Sequence, residues 1–231
     1  MLAHRSELGS LSGNIYPLSP REGRYELNAL LFDASEAQAE ARLPALPGEV
    51  SRTRDQPSYL DHCLQVDRLL ESLASSGGWN GLAHPWFDAF LPDSRFEGFL
   101  SEVLPTLDPA LDVGPANLGA LAQIHVFLLL TRHMQKPLLR VPDEPLVYLF
   151  DILTSAYGPG SSAEYRSRML SRNQALFARA RALGGTRYNI AALPMTSAMW
   201  AEELGGAFQP FALQKRHHDP RNILGWLTES H

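Results

Sequence analysis

Cysteine is nearly absent. Cys63 is the only one in 231 residues, so the chain forms no internal disulfide and no cysteine-based zinc site, and a reducing compartment is the expectation. Lysine is scarce too: Lys136 and Lys215 are the only two, the other 18 of the 20 basic residues being arginines spread along the chain. Against 25 acidic residues this gives a formal charge of −5 with no basic cluster, so no nucleic acid is expected as a partner. Long apolar runs are also missing. Ala120 to Leu130 is the longest, is broken by Gln123 and His125, and falls far short of the roughly 20 residues of a membrane helix. No membrane partner is expected. The opening, Met1 to Tyr16, lacks the basic start and apolar stretch of a secretory signal, which makes cytoplasmic localisation the expectation.

The familiar catalytic signatures are absent as well. There is no G-x-G-x-x-G after a strand, no Walker loop, no G-x-S-x-G elbow and no H-E-x-x-H. Gly77, Gly78 and Gly81, or Gly158 and Gly160, have loop spacing and read as turns.

What is present is a globular composition, 45% hydrophobic and 19% charged, on a chain long enough to bury roughly 70% of its unfolded surface. Residues 1–23 are rich in Gly, Ser and Pro without periodicity and read as a flexible lead-in. Arg24 to Phe32 reads as a half-buried strand, and 33–43 as a helix with Asp33 or Ser35 as N-cap. A second helix spans Ser58 to Ser75, with Leu60, Leu64, Leu69, Leu70 and Leu73 roughly on one face. An aromatic strand inside Trp79 to Pro92 precedes a helix over Asp93 to Leu104. Ala120 to Leu130 and Glu144 to Leu153 read as strands, Ser162 to Leu183 as a long helix closed by Gly184-Gly185, Thr186 to Leu193 as a strand, and Thr196 to about Gln214 as one or two helices. The stretches Pro105 to Gly119 and Arg132 to Asp143 are too irregular for crossover helices, which argues against an all-parallel sheet. The expected class is α+β: a single domain with an antiparallel β-sheet flanked by helices.

Eight histidines were weighed as acid-base or metal-binding groups. His217, His218 and Asp219 are adjacent, and adjacent side chains on a helix or strand diverge, so no metal site is expected. His125 lies within an apolar strand, as a core residue or a catalytic one. His133, with Thr131 and Arg132, follows that strand directly and can project into a pocket. Asp143 and Glu144 offer carboxylates, or else begin a strand or pair with Arg140. Cys63, with no basic neighbour, reads as inert packing.

One segment carries a family resemblance. Trp79 to Phe99, WNGLAHPWFDAFLPDSRFEGF, resembles the HPW-L-N-x-F-V-P-x-S-x-x-x-x-F block of cytokinin dehydrogenases, flavoproteins of the vanillyl-alcohol-oxidase superfamily. Ser58-Tyr59-Leu60-Asp61 with Val66-Asp67 resembles the Y-x-x-F-x-x-R-V helix before it, and Val141-Pro142-Asp143-Glu144 through Tyr148 resembles the P-D-E-D-V-F-Y strand. Asn173-Gln174, Gly185, Tyr188, Trp200, Gly205, Phe211, Lys215, Asp219-Pro220 and Ile223-Leu224 follow in the order and spacing of the family's C-terminal end.

The resemblance covers about 24–224 and implies a substrate, or cap, domain over the isoalloxazine of an FAD held by a separate domain, in a family that oxidises an amine by hydride transfer. Residues 225–231 are then a divergent tail. No catalytic residue is assigned in this chain, because the flavin-linking His and the carboxylate that takes the substrate proton belong to the FAD domain. The implied substrate-binding positions are Trp86, Phe90, Leu129, Thr131 and Leu193, each of which ordinary core packing also explains. Thr131 stands where the family has Asn. Ala192, in place of a Tyr, and Thr228, in place of a Gln, are the implied flavin contacts. FAD is therefore expected only from a partner, a separate FAD-binding polypeptide, with a small aromatic or amine ligand. The alternative is a non-catalytic small-ligand or protein-binding module descended from that domain; a cofactor-free enzyme using His133 is the third reading.

Overall fold

Every strand of the sheet runs antiparallel to its neighbours, in the order β2-β1-β4-β5-β3-β6. The computed structural model describes residues 8–19, 22–43, 48–75, 79–113, 123–134, 136–155 and 162–224. The strands are β1 (Ser10–Ser19), β2 (Glu22–Leu30), β3 (Phe87–Pro92), β4 (Gln123–Leu130), β5 (Leu146–Leu153) and β6 (Thr186–Arg187). The helices are α1 (Glu36–Arg42), α2 (Tyr59–Cys63), α3 (Gln65–Ser75), α4 (Asp93–Val103), α5 (Ala163–Ala182), α6 (Ser197–Leu204) and α7 (Phe208–His218). The α+β class follows, with helices flanking an antiparallel sheet.

The core forms where the strands are apolar on both sides. All six residues of β3 are buried, which is why FDAFLP shows no in-out alternation. Phe87, Ala89 and Leu91 of β3 join Phe150 and Ile152 of β5 and Ile124 of β4 on one face, under Phe96, Phe99 and Val103 of α4 and Leu176, Phe177 and Ala180 of α5. Phe99 meets Phe150 edge-on, ring centroids 5.4 Å apart, and Phe96 stacks on Tyr148 at 4.0 Å. On the opposite face a second cluster gathers Phe90, Val147 and Leu149.

Two devices lock the helices. α4 begins at Pro92, which has no capping side chain; Glu144 supplies the cap from 50 residues away, accepting from the Ser94 N–H at 3.1 Å and hydroxyl at 2.5 Å. α5 starts on Ser162, whose hydroxyl accepts from the Tyr165 N–H, and ends with the Gly184 N–H on Arg181 O and the Gly185 N–H on Ala180 O. Gly184 has φ +84°, and a Cβ on Gly185 would lie 2.8 Å from both Ala180 O and Phe90 O, so the helix end packs against β3 only with glycine there.

Four sequence expectations are corrected. The segment read as a flexible lead-in contains β1, which hydrogen-bonds to β2 on one side and β4 on the other; pairing on both edges stabilises a strand that its Gly, Ser and Pro would not form alone. The strand expected over Thr186 to Leu193 is only two residues long, because the chain after Arg187 turns back onto the helix-side core. The helix expected over Ser58 to Ser75 is broken at Leu64 into α2 and α3, and neither has a buried residue. Cys63 is accordingly exposed rather than packed.

Candidate functional site

Strand alternation puts Asp88 and Phe90 on the side of β3 away from α4 and α5. Register then sets the neighbours across the sheet. Phe90 stands opposite Leu149, Leu149 opposite Phe127, and one row further Val147 lies opposite Leu129. Met134, Leu139, Val141 and Tyr188 close over this patch, and the Tyr188 ring meets Phe90 edge-on at 5.3 Å. Two of the implied substrate-binding residues, Phe90 and Leu129, are therefore brought together in one apolar cluster.

Trp86 immediately precedes β3. Its ring packs against His84 (5.7 Å) and Trp79 (6.1 Å), and its indole Nε1 is buried with no hydrogen-bond partner among the described residues. Its carbonyl is held by Asn173, a fully buried residue of α5. The Asn173 amide nitrogen donates to Trp86 O at 2.9 Å, Ala192 O at 3.0 Å and Pro85 O at 3.2 Å, while its oxygen accepts from Arg172. Arg172 in turn donates to Asp112 O and Thr154 Oγ1 and lies 3.5 Å from the Asp112 carboxylate. Burial lowers the Arg172 pKa, opposed by Asp112. This buried network ties the segment before β3, the end of β5 and the turn after β6 to one helix.

The remaining implied residues lie elsewhere. Thr131 uses its hydroxyl to donate to Glu144 O at 2.7 Å. Leu193 packs in the helix-side core. Ala192 has both backbone groups engaged, its N–H on Trp86 O and its carbonyl on Asn173, so it can offer a flavin only a methyl contact. Thr228 lies outside the described residues. Of the histidine candidates, His133 is exposed and accepts from the neighbouring Arg132 Nε at 3.0 Å, lining a cavity of about 240 Å³ with Leu11, Leu129 and Met134. Glu144 is the α4 cap, and its hydrogen bonds from Ser94 hold its carboxyl below the usual range. Among the described residues no three His, Cys, Asp or Glu side chains gather as metal ligands, and no helix is long and apolar enough to cross a membrane.

One feature of this face was missed from sequence. Glu26, Asn14, His125, Asp151 and Asp88 stand directly opposite one another on five successive strands, forming a polar row across the sheet beside the apolar cluster. Asn14 donates to Glu26 at 3.0 Å. His125 is lowered by burial, against the attraction of Glu26. At the buried end, desolvation pushes Asp88 up to about 7, and desolvation with the adjacent Asp88 charge pushes Asp151 up to about 9. A charged residue in the middle of each of two apolar strands, FDAF and LVYLFDIL, was the signal in the sequence.

The fold is shared with a solved structure. The structure of 6-hydroxy-D-nicotine oxidase from Arthrobacter nicotinovorans superposes with a TM-score of 0.56 at 18% identity, over 95% of this chain and 47% of that one. The family model described as "Cytokinin dehydrogenase 1, FAD and cytokinin binding" matches residues 49–226, and the chain belongs to that family. It is 28% identical over 227 residues to cytokinin dehydrogenase 5 of Oryza sativa subsp. japonica, covering 95% of this chain and 40% of the relative. It is 30% identical over 152 residues to an uncharacterized oxidoreductase, ORF5 of the fasciation locus, from Rhodococcoides fascians, covering 66% of this chain and 32% of that protein. The chain thus spans roughly a third to two-fifths of the length of these relatives.

Proposed function

We propose that this chain is the ligand-side half of an FAD-dependent amine oxidoreductase resembling cytokinin dehydrogenase, working with an FAD-binding partner polypeptide. Bound FAD supplies the hydride acceptor. The chain's own contribution is to hold a small aromatic amine, of the cytokinin kind, against an apolar wall and keep water from it. The observation that carries this reading is the cluster of Phe90, Leu149, Phe127 and Leu129 on the face turned away from the helices. An aromatic ring fits such a wall, and the polar row beside it supplies acceptors for an amine N–H.

Coexpression with a flavin-domain polypeptide from the same genome tests it. The expected result is a yellow complex that co-elutes and whose flavin bleaches when N6-isopentenyladenine is added. A colourless mixture whose components elute apart overturns it.

A further inference from the structure

We propose that Asp88 and Asp151 form a proton-binding site, in which the folded chain takes up one proton and holds it between the two carboxyl groups on the ligand-facing side of the sheet. The two residues are direct cross-strand partners on β3 and β5. Directly opposed side chains in an antiparallel pair have Cβ atoms about 5 Å apart, so the carboxyl groups are in contact range. Both are buried, at 0% and 5% exposure. Neither Asp88 oxygen, nor Oδ1 of Asp151, receives a hydrogen bond from any described backbone or side-chain donor. Two bare carboxylates cannot share so dry a place. A proton on Asp151 removes one charge and lets the repulsion give way to an O–H···O hydrogen bond donated to Asp88.

The surrounding charges leave that task to the proton. Arg187 on β6 attracts Asp88, yet it makes no ion pair with it: Nη2 donates to Ala191 O and Asn189 O, the guanidinium lies over the Trp200 ring, and Nε and Nη1 have no acceptor. Glu203 of α6 accepts from the Arg187 N–H and adds negative charge nearby. On β4, His125 faces Asp151 and is held toward its neutral form by burial, and Glu26 lies exposed beyond Asn14. Among the described residues no cation is bonded to the pair.

The linkage has a definite sign. Both carboxyls ionise near 3.8 when unfolded and higher when folded, so the folded state binds more protons, and stability falls as pH rises from about 4 through about 9. Infrared spectroscopy of the purified chain at neutral pH tests the site directly. The expected result is a protonated-carboxyl stretch in the wild type that is weakened or shifted in Asp88→Asn and in Asp151→Asn, lost in the double variant, and fades on titration to alkaline pH. Melting temperature measured across the same range should fall in the wild type and stay flatter above neutral pH in Asp151→Asn, whose amide mimics the protonated acid. Absence of the band in the wild type at neutral pH overturns the proposal, and that measurement needs no variant to fold. The result is independent of ligand or flavin, so failure here and failure of the oxidoreductase reading are separate outcomes.

Discussion

On the helix side of the sheet, Phe87, Phe99 and Phe150 pack edge to ring beneath α4 and α5; on the other side, Phe90 and Leu149 share the surface with a line of acids, an amide and an imidazole. The first side is packed mainly by apolar rings and aliphatic side chains, with the Asn173 network tying one end. The second carries buried polar atoms without partners among the described residues on Asp88, Gln123 and Asp151, groups that weaken a core and so point to use beyond packing. The difference teaches that one face is closed by apolar packing, while the other keeps buried polar groups that packing alone does not use.

Substitutions on the two faces should separate these roles. The largest effect is expected from Phe150→Ala, which removes a ring at 0% exposure from the helix side and should lower unfolding free energy by about 4 kcal/mol in urea titration. Asn173→Ala, which removes one donor from each of three carbonyls and one acceptor from Arg172, should lower it by about 3 kcal/mol in the same titration. Leu129→Ala, half-buried on the other side, should cost only about 1 kcal/mol while weakening binding of N6-isopentenyladenine. A Leu129→Ala loss as large as that of Phe150→Ala would erase the distinction between the faces.

Much of this was legible in the sequence for physical reasons. β3, α4, β5 and α5 are contiguous runs with local end signals, so FDAFLP, the helical spacing of Phe96, Phe99 and Val103, and Ser162 with Gly184-Gly185 each declare themselves. β1 did not, because its stability comes from partners on both edges rather than from its own residues. The apolar spacing of Leu60, Leu69 and Leu70 was visible, but periodicity reports a face and not what covers it; here these leucines are exposed. Phe90 and Leu129 were found through the family resemblance, and the structure adds that they share one cluster. Asp88 and Asp151 stood out as charges within apolar strands, but their alignment in a row was not legible, because each member sits on a different strand and only register aligns residues as distant as Asn14 and Asp151.

The capping of α4 by Glu144 has a consequence for how the molecule assembles. A peptide of Asp93–Val103 alone lacks the carboxylate that satisfies its first free amide, so its helix is expected to fray until β5 has docked. Formation of this helix thereby becomes a late reporter of non-local closure, slow to appear in a refolding experiment and sensitive to a change at a position half a hundred residues downstream.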